Sequence, residues 1–196
     1  MDTRVFLNVV LTILATFICI GNGAAQSERS PTNAPSTIGA KPLLLEKNEG
    51  ELRVRRSAAA STFTLKVSPK DNGSQRLVLV EEDLSPGTVI NRHKHLEQDE
   101  ILLIQTGTAH IWLGDQERDL HAGGLVFIPQ NTWISVKNIG TEPIHLVAIF
   151  SAPGFEDYMR CTSVPANEKP TPMTIDQYRA CARQGHVVYA EKNAKN

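Results

Sequence analysis

Net charge is almost absent from this chain: 20 Lys and Arg against 21 Asp and Glu leave −1 over 196 residues, with a pI near 6.6. So balanced a composition argues against nucleic acid as a main partner. The cluster Arg53, Arg55 and Arg56 is read as a solvated strand edge. No internal repeat is visible, so one domain with appendages is expected rather than a tandem pair. No apolar run reaches the roughly 20 residues that a membrane span requires. The longest, 5–20, is interrupted by Asn8, Thr12 and Thr16. With Arg4 before it and Gly23-Ala24-Ala25 after it, residues 1–25 have the order of a secretory signal peptide. The expected product is secreted or periplasmic, with no membrane anchor after cleavage; an uncleaved anchor is the alternative. Ile18 is wrong for a lipoprotein cleavage box before Cys19, which argues against a lipid anchor.

Cysteine is scarce too. Cleavage removes Cys19 and leaves Cys161 and Cys181, an even number in an oxidising compartment. A bridge between them would stabilise by about 3 kcal/mol in the chain-entropy model; two buried free thiols are the alternative. Residues 26–40 hold no large apolar side chain before Ile38 and read as a flexible linker.

What the chain does have is a series of short β signals. Candidate strands cover 43–46, 51–56, 62–67, 76–81, 89–95, 100–106, 109–113, 118–121, 125–128, 133–137 and 144–150. Turn residues separate them, among them Asp71-Asn72-Gly73, Ser85-Pro86-Gly87 and Ala122-Gly123-Gly124. Strands this short at this spacing predict an all-β sandwich or barrel over 41–155. Residues 156–196 read as a C-terminal extension that covers the barrel. A short helical turn is expected at 155–160, a helix at 175–184 opened by the Thr174-to-Gln177 capping box and closed by Gly185, and a last strand near 186–190.

Chemistry concentrates at 87–107. His93 and His95 are two apart, so on a strand both imidazoles leave one face. If residues 96–99 form a hairpin loop, Glu100 lies across from His95 on the same face. Two imidazoles and a carboxylate then converge as a metal site made from one hairpin. Glu97, in the loop, is a poorer candidate. Alternation puts His110 outside the cavity, while His121 and His145 are candidates to replace a ligand.

Gly87, His93, His95, Glu100 and Gly107 resemble, without a gap, the first signature of the cupin superfamily, G-x5-H-x-H-x4-E-x6-G. Gly123, Pro129 and Asn138 fall in register with the second signature. Asn131 stands where that signature has Gly, a substitution that left-handed backbone tolerates. Ile134 stands where it has the fourth ligand, a histidine. The resemblance, strongest to single-domain quercetin-dioxygenase-like cupins, implies a double-stranded β-helix or jelly roll with its motif core at 87–138 and a short helical extension. It also implies a metal-dependent enzyme of dioxygenase or isomerase type acting on a small organic molecule, with a homodimer as the expected assembly. His93, His95 and Glu100 would hold iron, manganese, zinc or nickel, with Glu100 the candidate catalytic group. Because Ile134 has no donor, a second expectation stays open: a non-catalytic cupin that binds a sugar or other metabolite.

Overall fold

The computed structural model describes residues 39–57 and 61–191. The signal peptide read over 1–25 and nearly all of the linker read over 26–40 lie outside the described residues. Twelve strands and three helices follow among those described: β1 (Glu51–Arg55), β2 (Thr62–Val67), α1 (Pro69–Asn72), β3 (Val78–Leu84), β4 (Val89–His95), β5 (Glu100–Ile104), β6 (Thr108–Leu113), β7 (Gln116–His121), β8 (Leu125–Ile128), β9 (Ile134–Asn138), β10 (Ile144–Phe150), α2 (Phe155–Cys161), β11 (Ser163–Pro165), α3 (Ile175–Gln184) and β12 (Val187–Tyr189). They form two antiparallel sheets. One runs β11-β1-β2-β3-β10-β5-β8 and the other β12-β4-β9-β6-β7. This is the all-β architecture expected from the strand pattern, in the jelly-roll form that the resemblance implies, with a short helical extension.

Period-two alternation decides what enters the barrel. On β5, Glu100, Leu102 and Ile104 are buried and the residues between them are half-exposed. On β6, Ala109 and Ile111 are buried while His110 is not. The interior sorts into two clusters. Leu84, Leu102, Ile104, Ile111, Ile134, Val136 and their neighbours make an aliphatic one. Phe63, Phe150, Phe155, Tyr158, Met159 and Cys181 belong to the other, which is rich in aromatics.

Two turns are held by residues that the motifs single out. Gly107 has φ +78°, and a Cβ there would lie 2.9 Å from the Ile144 side chain, so no other residue fits without a shift. Asn131 takes φ +63°, the left-handed backbone expected of it, and its N–H donates to the carbonyl of His95 at 2.7 Å.

Several local expectations fail. Residues 43–46 are not a strand, and Leu44 is 97% exposed. The ammonium of Lys66 donates to the carbonyls of Glu46 and Lys47 at 2.7 Å each, taking acceptors that a ladder would use. The strand expected over 100–106 stops at Ile104, and α1 and β11 were not anticipated.

The extension follows its sequence signals more closely. α2 and α3 form where expected, and Thr174 and Gln177 make the reciprocal capping box. Cys161 and Cys181 are bridged, with Cα atoms 5.6 Å apart, tying α2 to α3.

Candidate metal centre

β4 and β5 are not a hairpin. β4 pairs with β9 and β12 in one sheet, and β5 pairs with β8 and β10 in the other. Residues 96–99 therefore carry the chain from sheet to sheet, and the single-hairpin construction of the site is corrected. His93 and His95 point inward from one sheet, Glu100 inward from the other, and they meet across the interior. Both are inner-face positions, so the convergence survives the change of topology.

A bulge sits on β4 between Ile90 and His93. Bulges re-aim side chains beside functional positions. Here the bulge brings Nδ1 of His93 within 2.8 Å of the Asn91 carbonyl. A carbonyl only accepts, so Nδ1 carries the proton and Nε2 keeps its lone pair. Burial, aided by the neighbouring His95, pushes the His93 pKa down to about 4, so the ring is neutral at pH 7.

His93, His95 and Glu100 are 6%, 2% and 6% exposed. One donor atom from each lies within 4.8 Å of the others. Nε2 of His95 stands 3.3 Å from Oε2 of Glu100, yet neither forms a hydrogen bond among the described residues, and Nδ1 of His95 is also unpartnered. Buried polar atoms left so are costly. A divalent cation held by His93, His95 and Glu100 would give these atoms the partner they lack, so the donor set fits such an ion by chemistry.

The other candidates lie elsewhere. Glu97 pairs with His186 at the surface, 3.0 Å apart. His110 pairs with Asp119, His145 with Asp83, and the His121 ring with the Thr108 hydroxyl. Ile134 is 1% exposed and lies directly across from His93 in the β4–β9 ladder, so an alkyl side chain faces the cluster from that side.

Sequence reasoning missed the aromatic wall. Tyr189 of β12 is in register with His93 and stacks on it at 5.4 Å. Phe155 meets the edge of His95 at 4.4 Å, and Phe150 does so at 5.2 Å. Beyond Tyr189, the guanidinium of Arg55 grips Glu82 with two hydrogen bonds of 3.0 and 2.7 Å and lies 4.8 Å over the ring of Phe63. Burial, with Tyr158 close by, holds the Tyr189 hydroxyl well above its ordinary pKa, so it stays protonated. The strand expected near 186–190 was the one signal available for Tyr189, and it did not say which strand it would join.

Residues 80–150 match the family model of the cupin domain. No curated protein matches the sequence. Among solved structures, the chain is similar to a predicted oxalate decarboxylase from Thermotoga maritima, at 17% identity over 57% of this chain and 100% of that one, with a TM-score of 0.50. It is also similar to KdgF from a Halomonas species (14% identity, 58% and 96% covered, TM-score 0.49) and to an RmlC-like cupin from Shewanella frigidimarina (14%, 59% and 95%, 0.47). Identities this low speak to the fold. The two antiparallel sheets agree with that fold, and the segment 80–150 is what resembles the cupin domain.

Proposed function

We propose that this protein is an exported, metal-dependent cupin enzyme of dioxygenase or isomerase type, acting on a small organic molecule. His93, His95 and Glu100 would hold its one divalent cation. The observation that carries this reading is that Nε2 of His95 and Oε2 of Glu100, buried 3.3 Å apart, form no hydrogen bond among the described residues. When bound, a cation on two histidines and one carboxylate supplies Lewis-acid or one-electron chemistry. The chain does the rest. Asn91 fixes the His93 tautomer, Glu100 brings the compensating negative charge, and Phe150 and Phe155 keep water from the far side of His95.

Elemental analysis of the natively exported protein tests the proposal. About one equivalent of metal is expected, lost in His93→Ala and Glu100→Gln together with turnover. Substoichiometric metal that His93→Ala leaves unchanged would sink it. Ile134 favours a second reading, a pocket that binds a sugar or other metabolite without turnover, because it withholds a fourth protein donor. Saturable metabolite binding that survives metal removal would favour that reading.

A further inference from the structure

Both imidazoles of the cluster are covered by aromatic rings from beyond the family match. Tyr189 stacks on His93, and Phe155 meets His95 edge-on. Tyr158 continues the cover, 5.4 Å from Phe155 and 5.8 Å from Tyr189. The elements that present these rings, however, are anchored very differently.

α2 is rooted. It buries Phe155, Glu156, Tyr158 and Met159, and its Arg160 holds Glu51 of β1 through bonds of 2.9 and 2.8 Å. α3 is not. Of its ten residues Cys181 alone is buried, and Ile175 is 63% exposed. A ten-residue helix with so narrow an apolar face has little stability of its own. Among the described residues, α3 is held by the packing of half-buried Ala182, the Cys161–Cys181 bridge, a hydrogen bond from the Tyr178 hydroxyl to the Arg56 carbonyl at 2.8 Å, and the close approach of Gly185 to Tyr158. A Cβ on Gly185 would fall 2.3 Å from the Tyr158 Cβ. β12 starts two residues after Gly185, pairs three residues with the edge of β4 between flanking bonds from the Leu96 N–H to the His186 carbonyl and from the Ala190 N–H to the Arg92 carbonyl, and buries Val187. Whatever frees α3 also loosens Tyr189.

We infer that α3 and β12 form a gate over the metal centre, clamped by the Cys161–Cys181 bridge, while α2 stays seated as the fixed jamb. The inference rests on reading His93, His95 and Glu100 as that centre. Metal crosses when the gate swings off β4, and the bridge sets how often it does. A dithiol reductant would release the clamp: its thiolate attacks the half-exposed Cys161 sulfur, the S–S bond breaks to give two cysteine thiols, and the dithiol closes to its own disulfide.

The experiment follows transfer of Zn²⁺ from the loaded full chain to a chromogenic chelator, with amide hydrogen exchange alongside. A phosphine reductant is used because thiols compete for zinc; it becomes the phosphine oxide, taking oxygen from water. Reduction, Cys161→Ser with Cys181→Ser, and Gly185→Ala, which keeps the bridge but wedges α3 from α2, should each speed transfer at least about tenfold. Exchange at 187–189 and 93–95 should quicken while α2 stays protected. Equal transfer rates in bridged and reduced protein would overturn the gate. Should the protein hold no zinc at all, the metal reading fails on its own, and exchange decides the gate: unchanged protection of β4 and β12 on reduction overturns it. If reduction unfolds the barrel, Gly185→Ala decides.

Discussion

In the aliphatic part of the barrel, Leu84, Leu102, Ile104, Ile111 and Val136 fill space and leave nothing unsatisfied. In the aromatic part, Tyr189 stacks on a neutral His93, and Phe150 and Phe155 pack on a His95 whose ring nitrogens make no hydrogen bond among the described residues. The first needs only volume and alternation. The second has buried polarity left without hydrogen bonds among the described residues, and it needs the C-terminal segment to close its wall. Stability and chemistry are thus separable by region, and substitutions on either side should separate them.

The largest effects come from one substitution in each part. Leu102→Ala removes a side chain that is 4% exposed and should cost about 2–5 kcal/mol of unfolding free energy, with metal stoichiometry intact. His93→Ala should do the reverse, weakening metal binding by about a hundredfold or more, close to 3 kcal/mol, with a smaller change in the metal-free denaturation midpoint. Loss of metal in Leu102→Ala would show that the two parts are one unit.

Next comes the crosslink. Replacing both bridged cysteines by serine should lower stability by about 3 kcal/mol in urea. A loss well below 1 kcal/mol would mean that the extension stays on the barrel without it.

The third effect is pH-dependent and belongs to the aromatic part. Burial holds His93 at about 4 against an ordinary 6.5. Between these values the unfolded chain binds a proton that the native state does not, so stability rises with pH through this window and levels off above it. The metal-free protein should therefore lose on the order of 1–3 kcal/mol on acidification from pH 6.5 to 4. His93→Gln should flatten that slope. An unchanged slope would assign the acid sensitivity to other groups.

Much of this division was legible in the chain. The two-residue spacing of His93 and His95 fixed their common face, and alternation turned Glu100, Leu102 and Ile104 inward together. A four-residue connection suits a hairpin and a sheet crossing equally, which is why the pairing of β4 with β5 was misjudged while the facing of their side chains was not. The aromatic cover was illegible for another reason. Tyr189 reaches His93 through a ladder between strands more than 90 positions apart, and no local periodicity encodes such a partner. Leu43 to Leu45 misled in the opposite sense: apolar content suggested a strand, but Lys66 had already taken the neighbouring carbonyls.

Ile134 stands where the two parts meet, and changing it gives the smallest but most discriminating effect. It belongs to the aliphatic cluster, yet lies across the ladder from His93. In Ile134→His the new imidazole has two outcomes open to it. In the metal-free protein it is a polar ring in an apolar wall, which should cost about 1–3 kcal/mol. With metal present, a nitrogen within reach of the cluster becomes a fourth donor and should tighten binding about tenfold, or 1.4 kcal/mol. The expected signature is a pair of opposite signs, with a lower melting temperature without metal and a smaller Kd with it, measured by calorimetry and chelator competition on the same preparation. A fall in stability with no gain in affinity would mean that the side chain at 134 faces only the aliphatic cluster. Ile134 would then be a packing residue, and the three donors would make up all that the barrel can offer a cation.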